Sequence, residues 1–97
     1  MSSDIDDAEI KRIYGMTLQS LHALFLKRLR RYNKTALAVM DVNQKFVCGF
    51  IWIRNPNDGT VSAQCFNERF SGTPLIIEYK DIDNAWNEYK SLIVSNL

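Results

Sequence analysis

The stretch KFVCGFIWIRNPNDGT, residues 45–60, decides the fold because its two halves predict a strand and the turn that ends it. Residues 46–53 contain only apolar side chains and one glycine, and they are rich in the aromatic and β-branched residues that favour strands. The segment NPNDG, residues 55–59, consists of residue types that favour chain reversal. A second strand is therefore expected to return antiparallel beside the first.

Outside this hairpin, hydrophobic spacing predicts a helix on either side of the sheet segment. Apolar residues from Tyr14 to Tyr32 recur every three or four positions, which indicates a long N-terminal helix. Gly15 predicts either a kink or a division into two helices, the second beginning near Thr17. A C-terminal amphipathic helix is predicted to begin after Asp81, a residue type that favours the N-cap position.

Four strands are predicted between these helices. They are Thr35–Val42, Lys45–Arg54, Gly59–Phe66 and Leu75–Tyr79. Short connections predict an antiparallel meander, in which each strand pairs with its neighbour in sequence. The fold class is therefore α+β, and residues 1–97 are expected to form a single domain.

The predicted register gives the second strand apolar side chains on both faces. The predicted pairs are Leu37 with Phe50, Val39 with Cys48, Trp52 with Val61, Phe50 with Ala63 and Cys48 with Cys65. They form one uncharged face. The other face carries Met40, Val47, Ile51 and Ile53.

The two helices either cover one face each or lie together on the aromatic face. In the second arrangement the patch of Met40, Val47, Ile51 and Ile53 stays exposed. A contiguous exposed apolar patch usually marks a binding site for another protein, so these four residues are the predicted protein-interaction site.

Basic residues are concentrated in the first half of the chain. Residues 10–54 carry nine of them against one acidic residue, although the net charge of the whole chain is +1. Four are spaced to share one face of the first helix, and a fifth lies close by. The cluster is Lys27, Arg30, Arg31 and Lys34, with Arg28 beside them. Such a cluster suits contact with nucleic-acid phosphates, and it equally suits stabilisation of the negative end of the helix dipole.

No catalytic or metal-binding signature occurs. His22 is the single histidine, and the sequence contains no P-loop, EF-hand loop or glycine-rich dinucleotide turn. Cys48 and Cys65 lack CxxC spacing and are predicted to be reduced core thiols. We therefore expect no catalytic residues, no cofactor, no metal and no small-molecule substrate.

The cellular location of the protein is predicted from its first residues and from the length of its apolar runs. The first residues are acidic where a signal peptide would be basic and then apolar. The apolar run over residues 46–53 is too short to span a bilayer. We expect a cytoplasmic protein without a membrane partner.

The leading hypothesis is a small non-enzymatic interaction protein that acts as an inhibitor, regulator or adaptor through a sheet face or edge. Its partner is another protein, itself as a homodimer, or both. Small single domains of this kind are common products of phages and mobile elements, and such an origin is part of the hypothesis. The alternative is a nucleic-acid-binding module that uses the basic cluster.

Overall fold

The computed structural model describes residues 7–67 and 74–97 and shows helices and strands in the order α-α-β-β-β-β-α. The elements are α1 (Asp7–Tyr14), α2 (Leu18–Tyr32), β1 (Lys34–Met40), β2 (Phe46–Arg54), β3 (Val61–Asn67), β4 (Leu75–Tyr79) and α3 (Ile82–Ser95). The predicted α+β class and the antiparallel meander are confirmed, with strand order β1-β2-β3-β4.

The N-terminal helix is divided at Gly15, one of the two predicted outcomes. Gly15 has a φ of +77°, a left-handed conformation that glycine adopts without strain, and its N–H donates to the Lys11 carbonyl at 2.8 Å. Thr17 then caps α2, because its side-chain oxygen accepts a hydrogen bond from the Ser20 N–H at 3.2 Å. The break gives α1 and α2 independent directions.

Asn33 ends α2 and turns the chain into β1. It has a left-handed φ of 58°, and its N–H donates to the Leu29 carbonyl at 3.1 Å. Lys34 is consequently the first residue of β1. The prediction that Lys34 extends the basic face of the helix is wrong, because the helix ends two residues earlier.

The predicted register is correct for one strand pair and shifted for the next. β1 pairs with β2 as expected, with Leu37 facing Phe50. Between β2 and β3 the pairing is shifted by two residues, so that Trp52 faces Ala63 and Phe50 faces Cys65. A shift of two residues keeps every side chain on its predicted face, because side chains alternate with a period of two.

The end of the first hairpin contains a β-bulge. The register slips between Val39 and Met40, so that Met40 faces Phe46 although Val39 faces Cys48. One extra residue, Val47, is thereby accommodated in β2. This irregularity changes which side chain of β2 lies on which face.

All three described helices pack on the same face of the sheet, which we call the inner face. It includes Thr35, Leu37, Val39, Cys48, Phe50, Trp52, Val61, Ala63, Cys65, Leu75, Ile77 and Tyr79. α2 packs on β1 and β2, and α3 packs on β1 and β4. Of the two arrangements that the sequence left open, the structure therefore has both helices on the aromatic face.

An aromatic cluster forms the centre of the core. Phe25, Trp52 and Tyr89 are each at most 1% exposed. Phe25 meets Trp52 edge-on with 5.3 Å between ring centroids, and Tyr89 lies 5.9 Å from Trp52 in a similar geometry. Such aromatic pairs contribute about 0.5–1.5 kcal/mol beyond the burial of their surface. α2, β2 and α3 are thus held together at one point.

The C-terminal helix begins as predicted. Asp81 is its N-cap and accepts a hydrogen bond from the Asn84 N–H at 2.9 Å. Within the described ranges, no helix combines the length and the apolar character that crossing a bilayer requires.

Two tyrosine hydroxyls satisfy backbone groups of the edge strand β1. The Tyr89 hydroxyl donates to the Ala38 carbonyl at 2.8 Å. The Tyr14 hydroxyl accepts from the Met40 N–H at 2.9 Å and donates to the Met40 carbonyl at 3.3 Å. These bonds tie α1 and α3 to the sheet edge and close part of it to other strands.

We expect Tyr89→Phe to lower the free energy of unfolding by about 1–3 kcal/mol, because the buried Ala38 carbonyl loses its partner. Urea denaturation followed by circular dichroism measures the change. The control is Tyr32→Phe, whose ring is 63% exposed and which should change stability by less than about 0.5 kcal/mol. Equal effects of the two substitutions would contradict the structural role of the Tyr89 hydroxyl.

The same residue should make stability depend on pH. Burial raises the pKa of Tyr89 above its ordinary value of about 10, so the folded state holds this proton more tightly than the unfolded state. Its contribution is fully present below about pH 10 and declines as the pH rises above that value. This alkaline loss should be smaller in Tyr89→Phe.

Candidate protein-interaction surface

The opposite side of the sheet, which we call the outer face, has no described helix packed on it. The residues of this face are Lys34, Ala36, Ala38, Met40, Phe46, Gly49, Ile51, Ile53, Ser62, Gln64, Phe66, Ile76 and Glu78. All of these residues are half-buried or exposed, whereas the inner face holds the buried core. The sheet is therefore covered by helices on one side only.

The four residues of the predicted interaction patch do not all lie together. Ile51 is half-buried near the middle of the outer face, and Ile53 is 39% exposed at one end. Met40 lies on the same face at the other end and is half-buried. Val47 instead packs against the buried core, because the bulge displaces it from the expected alternation. Its assignment to the patch is corrected.

Phe46 takes the place expected of Val47. Its ring extends over Gly49 and lies 3.3 Å from the position that a Cβ atom would occupy there. The Phe46 side chain is 45% exposed. A side chain at position 49 would make the Phe46 ring move by a few tenths of an ångström, and the pair forms one wall of a depression.

The depression in the outer face has a volume of about 380 Å³ and an apolar lining. Small residues of β1 and β2 form its floor, and large side chains rise around it. It is lined by Ala36, Leu37, Ala38, Phe46, Gly49, Phe50, Ile51 and Phe66. The sequence analysis did not identify Phe46, Phe66 or Ile76 as parts of this surface. Strict alternation along β3 and β4 identifies the last two, whereas no sequence signal identifies the bulge.

Among the described residues of the outer face, charge is confined to one cross-strand row. Lys34, Ile53, Ser62 and Glu78 face one another in sequence across the four strands. Lys34 and Glu78 thus lie at opposite edges of the sheet, about 14 Å apart at the usual strand spacing. Neither pairs with an opposite charge within the described part of the chain. The centre of the face is uncharged.

The basic cluster lies elsewhere, at the C-terminal end of α2. Lys27, Arg30 and Arg31 are exposed and Arg28 is half-buried. Across residues 7–67 and 74–97, none of the four forms an ion pair, and Arg31 lies over the Tyr32 ring at 5.7 Å. Lys34 is separated from them by the helix end and points to the outer face. The structure therefore groups four of the five predicted residues.

His22 is packed against the core instead of lining an open site. Its ring stacks on Trp86 with 4.4 Å between centroids and an angle of 4° between the planes. Its Nε2 atom is buried without a hydrogen-bond partner among the described residues. In the same part of the chain, no group of three His, Cys, Asp or Glu side chains converges to hold a metal ion.

The two cysteines are free, and they lie diagonally across β2 and β3. Cys48 faces Asn67, and Cys65 faces Phe50. The predicted direct pairing of the two cysteines is wrong because of the two-residue register shift. Burial, together with the neighbouring Cys65 thiol, raises the pKa of Cys48 to about 11.

We expect Cys48 to react slowly with iodoacetamide near neutral pH, because the thiolate is the reactive species and its fraction is very small there. The rate should rise about tenfold per pH unit up to about pH 10. Peptide mass spectrometry after timed quenching separates Cys48 from Cys65. The control is the same chain unfolded in urea, in which reaction at pH 8 should be much faster. Equal rates in the folded and unfolded chains would contradict this assignment.

Comparisons with known proteins add no family to this picture. No protein-family model, curated protein or solved structure matches the chain.

Proposed function

We propose that this protein is a small non-enzymatic interaction protein, an inhibitor, regulator or adaptor, whose outer face binds another protein. The observation that carries the proposal is that an apolar sheet face is left without a covering helix among the described residues. We also propose that it acts in the cytoplasm, where reducing conditions suit two free cysteines.

The outer face offers the physical features of a docking site. Phe46, Ile53 and Phe66 are 45%, 39% and 36% exposed, and Ile76 at the β4 edge is 58% exposed. Burying such apolar surface contributes about 25 cal/mol per Å² to association before its costs. The side chains project from a hydrogen-bonded sheet, so little backbone ordering opposes binding.

The titratable side chains outside the outer face support a catalytic function less well than the outer face supports binding. Burial raises the pKa of Tyr79 to about 12 and that of Tyr14 above its ordinary value, so both hydroxyls stay protonated near neutral pH. General bases work best with a pKa near the working pH. His22 has one ring face covered by Trp86. These observations favour binding over chemistry.

We expect Ala36→Glu to weaken binding of the partner at least 100-fold, because docking would bury a carboxylate against apolar side chains. Ala36 is exposed, so the stability of the chain itself should change by less than about 0.5 kcal/mol. The matched control is Ala23→Glu on the exposed side of α2. Affinity purification from the producing cells identifies the partner, and calorimetric titration with the purified partner measures the affinity.

The proposal fails if every partner of the wild-type chain binds Ala36→Glu with unchanged affinity. A second copy of the chain counts as a partner in this test. Loss of binding by Ala23→Glu as well would show that the added charge acts without regard to the outer face, and it would also contradict the proposal.

A nucleic-acid-binding role is the second candidate, favoured by four cations at the end of α2 that form no ion pair with any described residue. Each phosphate neutralised by such a cation adds affinity that declines with salt. This surface lies outside the outer face, so the two roles predict different sensitive residues.

For this second role we expect the double substitution Lys27→Glu and Arg31→Glu to abolish binding of the wild-type chain to a labelled duplex and to a labelled single strand. The logarithm of the binding constant of the wild-type chain should fall linearly with the logarithm of salt concentration. The matched control is Lys45→Glu with Lys80→Glu, two exposed lysines outside the cluster. Binding that is absent or independent of salt would remove this candidate.

A further inference from the structure

We infer that the protein bound by the outer face is a second copy of this chain, packed face to face about a two-fold axis parallel to the strands. This inference rests on the proposed function and names its partner. The argument depends on how one face complements itself in charge and in size.

A two-fold axis along the strands brings unlike parts of the same face together. Each cross-strand row of one copy lies opposite the same row of the other copy, and the order of the strands is reversed between the two copies. β1 of one copy then lies against β4 of the other, and β2 lies against β3. Such a closed, isologous contact uses one surface twice and does not propagate into a filament.

The charges of the outer face are complementary under this operation. Lys34 on β1 and Glu78 on β4 belong to the same row, at opposite edges. The axis places Lys34 of each copy against Glu78 of the other. Both side chains are exposed and unpaired within the described chain, and both are long enough to meet between sheets about 10 Å apart. Two identical ion pairs result.

The sizes of the side chains are complementary as well. Gly49 and Phe66 share a row on β2 and β3, so Phe66 of each copy faces the depression beside Gly49 of the other. Ala36 and Ile76 share the neighbouring row, at the edges of the sheet. Phe66 and Ile76 are thereby each opposed by a small residue, which allows the two sheets to interdigitate there, whereas Ile51 of each copy faces Gln64 of the other.

The other face-to-face arrangement fits less well. In this arrangement the two-fold axis lies between the sheets and perpendicular to the strands, so that β1 of one copy lies against β1 of the other. The charged row of each copy then lies against the opposite end of the other copy's sheet. Lys34 would then face the level of Met40 and Phe46, where the described strand residues of the outer face carry no carboxylate. The axis parallel to the strands is therefore preferred.

The area of the face indicates a weak dimer. Four strands at about 4.8 Å spacing and about six residues long give a projected area of roughly 400 Å². Standard stable interfaces bury about 800 Å² per partner. Projecting side chains add to the buried area, but we still expect a dissociation constant in the micromolar range. Association must therefore be measured over a wide range of concentration.

The test is sedimentation velocity of the full chain from about 1 μM to about 1 mM. The wild-type chain and Ala23→Glu should dimerise equally, and Ala36→Glu should be at least 100-fold weaker. Lys34→Glu and Glu78→Lys alone should each weaken dimerisation about tenfold, because two like-charged contacts replace two ion pairs. An equimolar mixture of these two variants should recover nearly wild-type affinity, because both contacts between unlike copies are again opposite in charge.

Circular dichroism of each dilute variant confirms that it is folded, so loss of the dimer cannot be attributed to unfolding. A wild-type chain that stays monomeric at every concentration overturns the inference. If the chain stays monomeric but binds a different protein, and Ala36→Glu weakens that binding, the proposed function is still supported. A wild-type dimer whose affinity Ala36→Glu leaves unchanged also overturns the inference. If the mixture of Lys34→Glu and Glu78→Lys does not regain nearly wild-type affinity, the proposed direction of the two-fold axis is wrong.

Discussion

Strand β2 carries apolar side chains on both of its sides, and this constraint organises the molecule. On the inner side, Trp52 is enclosed by Phe25 and Tyr89, which fixes the positions of α2 and α3. The apolar faces of these helices are buried on that side of the sheet. Ile51 and Ile53 point the other way, where no described helix lies. The uncovered apolar face, which we propose as the docking surface, is thus a consequence of the way the core is built.

The outer face carries its large and small side chains in an order that matters for specificity. Phe66 and Ile76 lie towards one edge of the sheet, and Gly49 and Ala36 lie towards the other. A flat apolar face would bind many partners weakly, whereas an asymmetric one selects partners with the inverse relief. A single glycine therefore has two effects, since Gly49 both admits the Phe46 ring and keeps the centre of the surface low.

The alternation of side chains made the two faces predictable from the sequence, and even an error of two residues in register left them intact. Helix boundaries were predictable where capping residues such as Thr17 and Asp81 are local signals. The bulge that exchanges Phe46 for Val47 was not predictable, because it depends on packing across β1. The side chosen by the helices was equally unpredictable, because it is settled by contacts between distant segments, such as Tyr89 with Ala38.

That last contact spans 51 positions of the chain, and it has a consequence for synthesis. The four strands lie next to one another in sequence and leave the ribosome before α3 does. Until Tyr89 emerges, the Trp52 indole can be enclosed only in part, by neighbours made earlier such as Phe25, Phe50 and Tyr79. The nascent chain therefore exposes part of the aromatic inner face until α3 emerges, and a chaperone would have the greatest effect in that interval.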